Sequence, residues 1–290
     1  MNPASASHLL ASHRPVEDPV VRARGLTKVY GRGSGAVVAL DAVDVDIARG
    51  RLTAVMGPSG SGKSTLMHCL AGLDSVTSGQ IVLDGLEVSG MSQRRLTRLR
   101  RERIGFIFQS FNLVPTLTAA ENITLPLDIA RVKVDRERFD QVVEAVGLAD
   151  RLSHRPAELS GGQVQRVACA RALVGSPSVV FADEPTGNLD SRSTEQVLGI
   201  LRSSVDRLGQ SVVMVTHEPE AAAWADTVIF LRDGQVVAEL ADPSGERVLD
   251  ALRELGGEAH SRAAGPSAPG SQDQGPRDAQ GITAGMDQEV

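Results

Sequence analysis

Lysine is nearly absent from this chain. Three lysines (Lys28, Lys63 and Lys133) stand against 27 arginines, the remainder of 30 basic residues. Cysteine is also scarce. Cys69 and Cys169 are too far apart for a CxxC motif, and each lies in an apolar helical stretch. They read as reduced core thiols, which excludes a disulfide framework. Aromatics make up only 3%. No apolar run approaches the roughly 18 residues that a membrane-spanning helix needs. Basic charge is not in excess either: the net charge is −6, so the totals give bulk nucleic-acid binding no support. What remains is a 290-residue chain, 41% hydrophobic, long enough for one or two domains with a real core.

A chain that has drifted to arginine yet keeps Lys63 points to a site where a compact ammonium is wanted rather than a planar fork. Lys63 lies in "GPSGSGKST", residues 57–65, which fits G-x(4)-G-K-[ST]. The stretch follows the apolar segment "RLTAVM" and opens the helical segment "GKSTLMHCLAGL". That strand–loop–helix context is the one that identifies a phosphate-binding loop. Its backbone N–H groups and the helix N-terminus would cradle phosphates, Lys63 would reach the β- and γ-phosphates, and Ser64 would hold Mg²⁺.

The rest of the pattern is α/β. "VVRARGLTKVY" and "VVALDAVDVDI" alternate like antiparallel strands. "SVVFAD" and "SVVMVTH" are nearly continuous apolar runs, as in a parallel sheet buried on both faces. "SQRRLTRLRRER" reads as a basic helix before the strand "IGFIF", with six arginines in ten residues (Arg94, Arg95, Arg98, Arg100, Arg101, Arg103). That run is a solvated helix face, or a contact for anionic lipid heads or a partner. "DTVIFLRDGQVVAEL" reads as a hairpin turning at Asp233-Gly234. The expected organisation is a flexible arm over 1–19, one domain over 20–257 with a helical part at about 110–175, and a disordered tail over 258–290.

Polar residues close several apolar strands. Asp183 and Glu184 end "SVVFADE", His217 ends "VVMVTH", and Gln109 ends "GFIFQ". Strand ends at one edge of an open α/β sheet are where ligands bind. Asp183 suits the Mg²⁺ side, and Glu184 suits orienting or deprotonating a water. His217 can face a γ-phosphate. Tyr30, the sole tyrosine, precedes a glycine-rich turn where an adenine ring could stack on it. A second glycine-rich stretch, "ELSGGQVQR" at 158–166, lies 160 − 63 = 97 residues beyond the first when Ser160 and Lys63 are compared.

Together these residues resemble the ATP-binding cassette (ABC) family of transporter ATPases over roughly 20–240. "GPSGSGKS" is similar to its Walker A motif, "VVFADE" to Walker B with the catalytic glutamate, and Gln109 to the Q-loop. "LSGGQ" is similar to the family signature, "NLD" at 188–190 to the D-loop, His217 to the switch histidine and Tyr30 to the adenine-stacking aromatic. The resemblance implies a P-loop NTPase cassette of class α/β, with a mixed-sheet core, an antiparallel β subdomain and a helical signature subdomain. It implies ATP held by Tyr30, Gly57, Pro58, Ser59, Gly60, Ser61, Gly62, Lys63, Ser64 and Thr65. The second cassette of a head-to-tail dimer would add Ser160, Gly161, Gly162, Gln163 and Asp190. Mg²⁺ would sit near Ser64, Gln109 and Asp183, and catalysis would fall to Glu184, His217 and Gln109.

"GFIFQSFNLVPTLTAAENITLPL" and "DEPTGNLDS" resemble the branch of macrolide exporters, lipoprotein-release systems and antimicrobial-peptide exporters. That branch implies a transmembrane permease on a separate chain, docked at the apolar loop around Pro115, and a cassette lying on the inner face of the cell membrane. An ATPase regulating cell-wall or division processes in a membrane complex would carry the same cassette. Two departures are small: Val164 stands where glutamine is common, and Cys169 where an aliphatic residue is usual. A DNA- or ribosome-acting cassette fits less well, since 160 − 109 = 51 residues separate Gln109 from Ser160 without heptads. No NKxD-type guanine reader is present.

Overall fold

A computed structural model describes residues 15–263. Residues 15–252 belong to one compact unit, and the chain from Arg253 onward to a second. Two sheets organise the first unit. Strands β1 (Pro19–Tyr30), β2 (Val37–Ala48), β4 (Ser78–Leu83) and β5 (Leu86–Glu87) form an antiparallel sheet in the order β2-β1-β4-β5. The second sheet takes the order β10-β9-β3-β8-β7-β6, from β3 (Leu52–Met56), β6 (Ile104–Phe108), β7 (Val179–Asp183), β8 (Val212–Val215), β9 (Thr227–Arg232) and β10 (Gln235–Ala241). It is parallel except for the β9–β10 hairpin. The fold is therefore the mixed-sheet α/β architecture with an antiparallel subdomain.

Burial explains the two strand types. Every residue of β3 and β8, and the first four of β7, are buried, which suits a central parallel sheet covered on both faces. The antiparallel strands alternate instead. Leu26, Leu40, Val45 and Ile47 pack with Leu66, Leu70 and Phe181 in one core. The β4–β5 hairpin, "SGQIVLDGLE", gives only a short alternation. Its Asp84-Gly85 turn, with φ of 47° and 76°, is the signal that identifies it.

The helices are α1 (Lys63–Leu70), α2 (Gln93–Arg103), α3 (Ala119–Ala130), α4 (Arg136–Val146), α5 (Gly161–Leu173), α6 (Ser191–Leu208), α7 (Pro219–Ala222) and α8 (Gly245–Ala263). Between β6 and β7 the chain makes no strand, only α3, α4, α5 and short 3-10 turns. Helix α8 runs from Gly245 to Ala263. Residues 1–14 of the expected arm and 264–290 of the expected tail lie outside the described residues. No helix among the described residues is long and apolar enough to cross a membrane.

The arginines of α2 divide into two sets. Arg100 donates to the Gly72 carbonyl, Arg103 pairs with Asp84, and Arg98 pairs with Glu102. Arg94, Arg95 and Arg101 are exposed. Arg103 therefore ties the helix to the β4–β5 turn and Arg100 ties it to the chain after α1, while the Arg98 pair stays within the helix.

Both cysteines are free and buried. Burial pushes the Cys69 thiol up to about 11 and the Cys169 thiol up to about 12. At pH 8 the thiolate is scarce, so alkylation of the native chain should run at least ~10²-fold slower than in denaturant. Timed iodoacetamide labelling checks this, and labelling of native protein at the unfolded rate would contradict the burial of both thiols.

Candidate active site

The loop between β3 and α1 wraps a cleft of about 480 Å³. Gly57, Ser59, Gly60, Gly62, Lys63, Ser64 and Thr65 line it, with Val37, Val38, Ala39, Glu184 and His217. Two of the glycines are required for a geometric reason. At Gly57 (φ 152°) an added Cβ would lie 2.0 Å from the Leu231 carbonyl oxygen, and at Gly62 (φ 101°) 2.4 Å from that of Ala39. The loop is pressed against neighbouring backbone and admits no side chain there. The β9–β10 turn braces it from behind: Gly234 N–H donates to the Ser61 carbonyl (3.0 Å), and the Gly234 carbonyl accepts from Asp41 N–H (2.9 Å). Ser61 is buried, and Pro58 contributes its carbonyl rather than lining the cleft.

Sheet order explains how residues from distant segments meet. The strands β3, β8, β7 and β6 are consecutive neighbours, so their carboxyl ends present Gly57, His217, Asp183 and Gln109 along one edge. Ser64 Oγ lies 3.4 Å from Asp183 Oδ1. His217 Nδ1 lies 3.3 Å from Glu184 Oε1. The Lys63 ammonium turns back onto its own loop, donating to the carbonyls of Gly57 (3.0 Å) and Pro58 (2.8 Å). Burial lowers its pKa, against the pull of Glu184 and Asp183. Burial, with like charge on Glu184 as a lesser cause, raises that of Asp183. An ammonium and carboxylates kept partly out of water suit a polyanion with a cation.

Glu184 adopts φ 45°, a left-handed conformation uncommon for a residue with a side chain. Its N–H donates to the Val215 carbonyl (3.0 Å), so β8 holds this turn. Strain of this kind is maintained where position matters. Two supports escaped the sequence reading. Gln165, fully buried in α5, donates from Nε2 to the Pro185 carbonyl (2.6 Å), directly after Glu184. Gly187 leaves room for its neighbours: an added Cβ would be 2.9 Å from Gln109 Nε2 and 3.5 Å from Glu184 Oε2. A glutamine within an apolar helical stretch was the available signal for the first. Val37 and Val38 were also missed. They are 62% and 54% exposed, an unusual state for valine, and they line the cleft.

Not every candidate residue lines this cleft. Tyr30 stands at its rim: its strand partner Val37 and its neighbour Thr65 are lining residues, while Tyr30 is not. Gln109 does not line the cleft either; its Nε2 lies beside Gly187. Ser160, Gly161, Gly162 and Gln163 form the start of α5 and do not line the cleft. Ser160 Oγ accepts from Gln163 N–H (3.3 Å), and Gln163 Oε1 accepts from Ser160 N–H (2.8 Å), a reciprocal cap. The Ser160 hydroxyl hydrogen remains available to a ligand. Asp190 caps α6, accepting from Ser193 N–H (3.0 Å) and Ser193 Oγ (2.7 Å). Those two hydrogen bonds, the hydroxyl's first, hold its carboxyl below the usual range. An added Cβ at Gly162 would lie 2.5 Å from Ser193 Oγ, so the two caps are packed together.

A glycine loop at a helix N-terminus, a carboxylate pair beside it and a histidine on the glutamate define a phosphate-loop nucleotide hydrolase. The ABC transporter family model matches residues 40–187. The chain belongs to that family and is an ATPase of the ATP-binding cassette type. Among similar proteins, an uncharacterized ABC transporter ATP-binding protein of Methanocaldococcus jannaschii is 46% identical over 220 residues, covering 75% of this chain and 98% of that one. The macrolide export ATP-binding/permease protein MacB 1/2 of Paracoccus denitrificans is 47% identical over 223 residues, covering 76% of this chain and 33% of that one. The chain thus spans about a third of the latter. A dimeric ATP-binding cassette solved with ADP and Pi, MJ0796, matches with a TM-score of 0.70 and 38% identity, covering 77% of this chain and 99% of that one.

Proposed function

We propose that this ATPase is the energy subunit of an export or release system of the macrolide-exporter kind. It would work as a head-to-tail pair, with a permease on a separate chain and the cassette on the inner face of the membrane. One observation carries the reading: the chain builds a hydrolytic centre and a separate capped helix N-terminus, and only the first lines the cleft. In a head-to-tail pair, the α5 N-terminus of one subunit would face the γ-phosphate held by the other. The likeness to a cassette solved as a dimer and to macrolide exporters supports it.

Within one centre the roles are distinct. Lys63 and the loop N–H groups bind the phosphates. Glu184 accepts the proton of the attacking water, and His217 orients that carboxylate. Ser64 Oγ and Asp183 Oδ1 are hard oxygen donors close enough to share a small cation, so the residues fit Mg²⁺. Among the described residues no group of three or more His, Cys, Asp or Glu could hold a metal by itself. The ion, when bound, would neutralise charge on the phosphate oxygens. Gln109 would approach from β6. Hydrolysis removes the phosphate that bridges the subunits, which would let the pair open and drive a mechanical cycle in the permease.

The exposed Val114 and Pro115 fit the permease contact. The buried Asn122 shapes that loop, bonding both the N–H and the carbonyl of Val114 and the carbonyl of Leu117. Phosphate release at rising protein concentration tests the pairing. Specific activity should climb, with a Hill coefficient for ATP approaching about 2. Constant specific activity with no cooperativity would sink the paired reading. Co-purification with a permease encoded nearby tests the transport role, and a partner of importer type would redirect it.

A further inference from the structure

The cleft explains how phosphates are held but not how the base is placed. Tyr30 and Lys28 are two apart on β1 and share one face of the sheet. The Lys28 ammonium lies 4.7 Å from the centroid of the Tyr30 ring, on one of its faces. It is buried, with the residue 6% exposed. A buried ammonium is costly unless its protons are used. One goes to Asp74 Oδ1 (2.7 Å) and one to the Ser75 carbonyl (2.6 Å), leaving the third to the ring. The Tyr30 hydroxyl donates to the other carboxylate oxygen, Asp74 Oδ2 (2.7 Å). Three side chains thus close a loop: lysine to aspartate, aspartate to tyrosine, tyrosine ring to lysine.

Asp74 is set by the phosphate-binding helix. Its N–H donates to the His68 carbonyl (3.2 Å) at the end of α1, the helix that begins at Lys63. The following turn is pinned to β1, since Val29 N–H donates to Thr77 Oγ1 (2.9 Å). The ring is therefore registered to the same helix that carries the phosphate loop. A lysine suits the position because its compact ammonium can meet Asp74, the Ser75 carbonyl and the ring face at once. This accounts for a second of the three lysines in an arginine-dominated chain. The cation on one face also draws π-density toward itself, which leaves the opposite face better suited to an electron-rich purine.

We propose that Lys28 and Asp74 are positioning residues for the nucleotide base, holding the Tyr30 ring at a set place relative to the phosphate loop. The inference rests on the reading of Tyr30 as the base platform. Neither residue touches the nucleotide. Their effect is confined to ligands that carry a base.

The test compares binding of Mg²⁺-ATP and of inorganic tripolyphosphate to the full-length chain and its variants. Tyr30→Ala should weaken ATP about tenfold or more, the range of a lost base–aromatic stack, and leave tripolyphosphate unchanged. Lys28→Met and Asp74→Asn should weaken ATP roughly three- to tenfold, with tripolyphosphate again unchanged. The sole tyrosine supplies a second readout. Burial first, and then its hydrogen bond to Asp74, raise the Tyr30 phenol above its ordinary value. Its ultraviolet titration should move to lower pH in Asp74→Asn. Should Lys28→Met not fold, Asp74→Asn decides by both readouts. Equal loss for ATP and tripolyphosphate would overturn the proposal, making the pair a prop for the phosphate loop. Unchanged ATP affinity in Lys28→Met and Asp74→Asn, beside a loss in Tyr30→Ala, would overturn it while sparing the platform. No loss in Tyr30→Ala would remove the platform itself.

Discussion

Glu184→Gln should lower ATP turnover by about 10²–10⁴, the usual contribution of a positioned general base, while ATP still binds. The substitution keeps size and shape. An amide oxygen can still accept from His217 Nδ1, which lies 3.3 Å from Glu184 Oε1. The left-handed backbone at 184 is no worse for glutamine than for glutamate, and its hydrogen bond to Val215 is untouched. What disappears is the proton acceptor. Phosphate release should therefore collapse, with the ATP dissociation constant and thermal midpoint close to wild type. Because ATP persists in such a variant, the paired reading adds a second expectation: ATP should hold two copies together in size-exclusion chromatography. Wild-type turnover in Glu184→Gln would remove Glu184 as the base.

Ser160→Ala should reduce hydrolysis by about 10²–10³, the cost of losing one preorganised donor to a developing charge, and Gly162→Ala should reduce it by displacing the donors at the α5 N-terminus. ATP binding to the dilute single subunit should stay nearly unchanged, because neither residue lines the Lys63 cleft. The two variants act by different routes. Ser160→Ala removes the hydroxyl and with it the cap of α5, at about 1 kcal/mol of stability. In Gly162→Ala the new methyl would meet Ser193 Oγ at 2.5 Å, and Ser193 would have to give up its hydrogen bond to Asp190. That disturbs the α6 cap as well, so thermal unfolding must accompany the activity assay. A collapse of single-subunit ATP affinity would defeat the shared-site reading. An unchanged rate would show that the α5 N-terminus is not part of catalysis.

Much of the centre was legible because its residues are short-range signals. Gly57 to Thr65 is a contiguous loop flanked by a strand and a helix, and each feature is read from neighbours in sequence. Asp183, Glu184, His217 and Gln109 were legible for a related reason: each ends an apolar run, and buried parallel strands place such ends at one edge. The supports were not legible. Gln165 meets Pro185 across 20 residues, and Gly187 matters through the space it leaves beside two side chains. Val37 and Val38 look like ordinary strand valines until their exposure is known.

The sequence by itself determined the class α/β, the phosphate loop, the acidic pair and the Asp233-Gly234 hairpin, because local periodicity and turn chemistry encode them. It left Lys28 and Asp74 as an unremarked pair 46 residues apart. Only the tertiary structure joined them beneath Tyr30, and only it showed that Ser160 to Gln163 stand outside the cleft of their own chain. Such facts depend on how strands order themselves within a sheet and which helix ends face which loop. That order is set by burial over the whole chain rather than by any stretch of it.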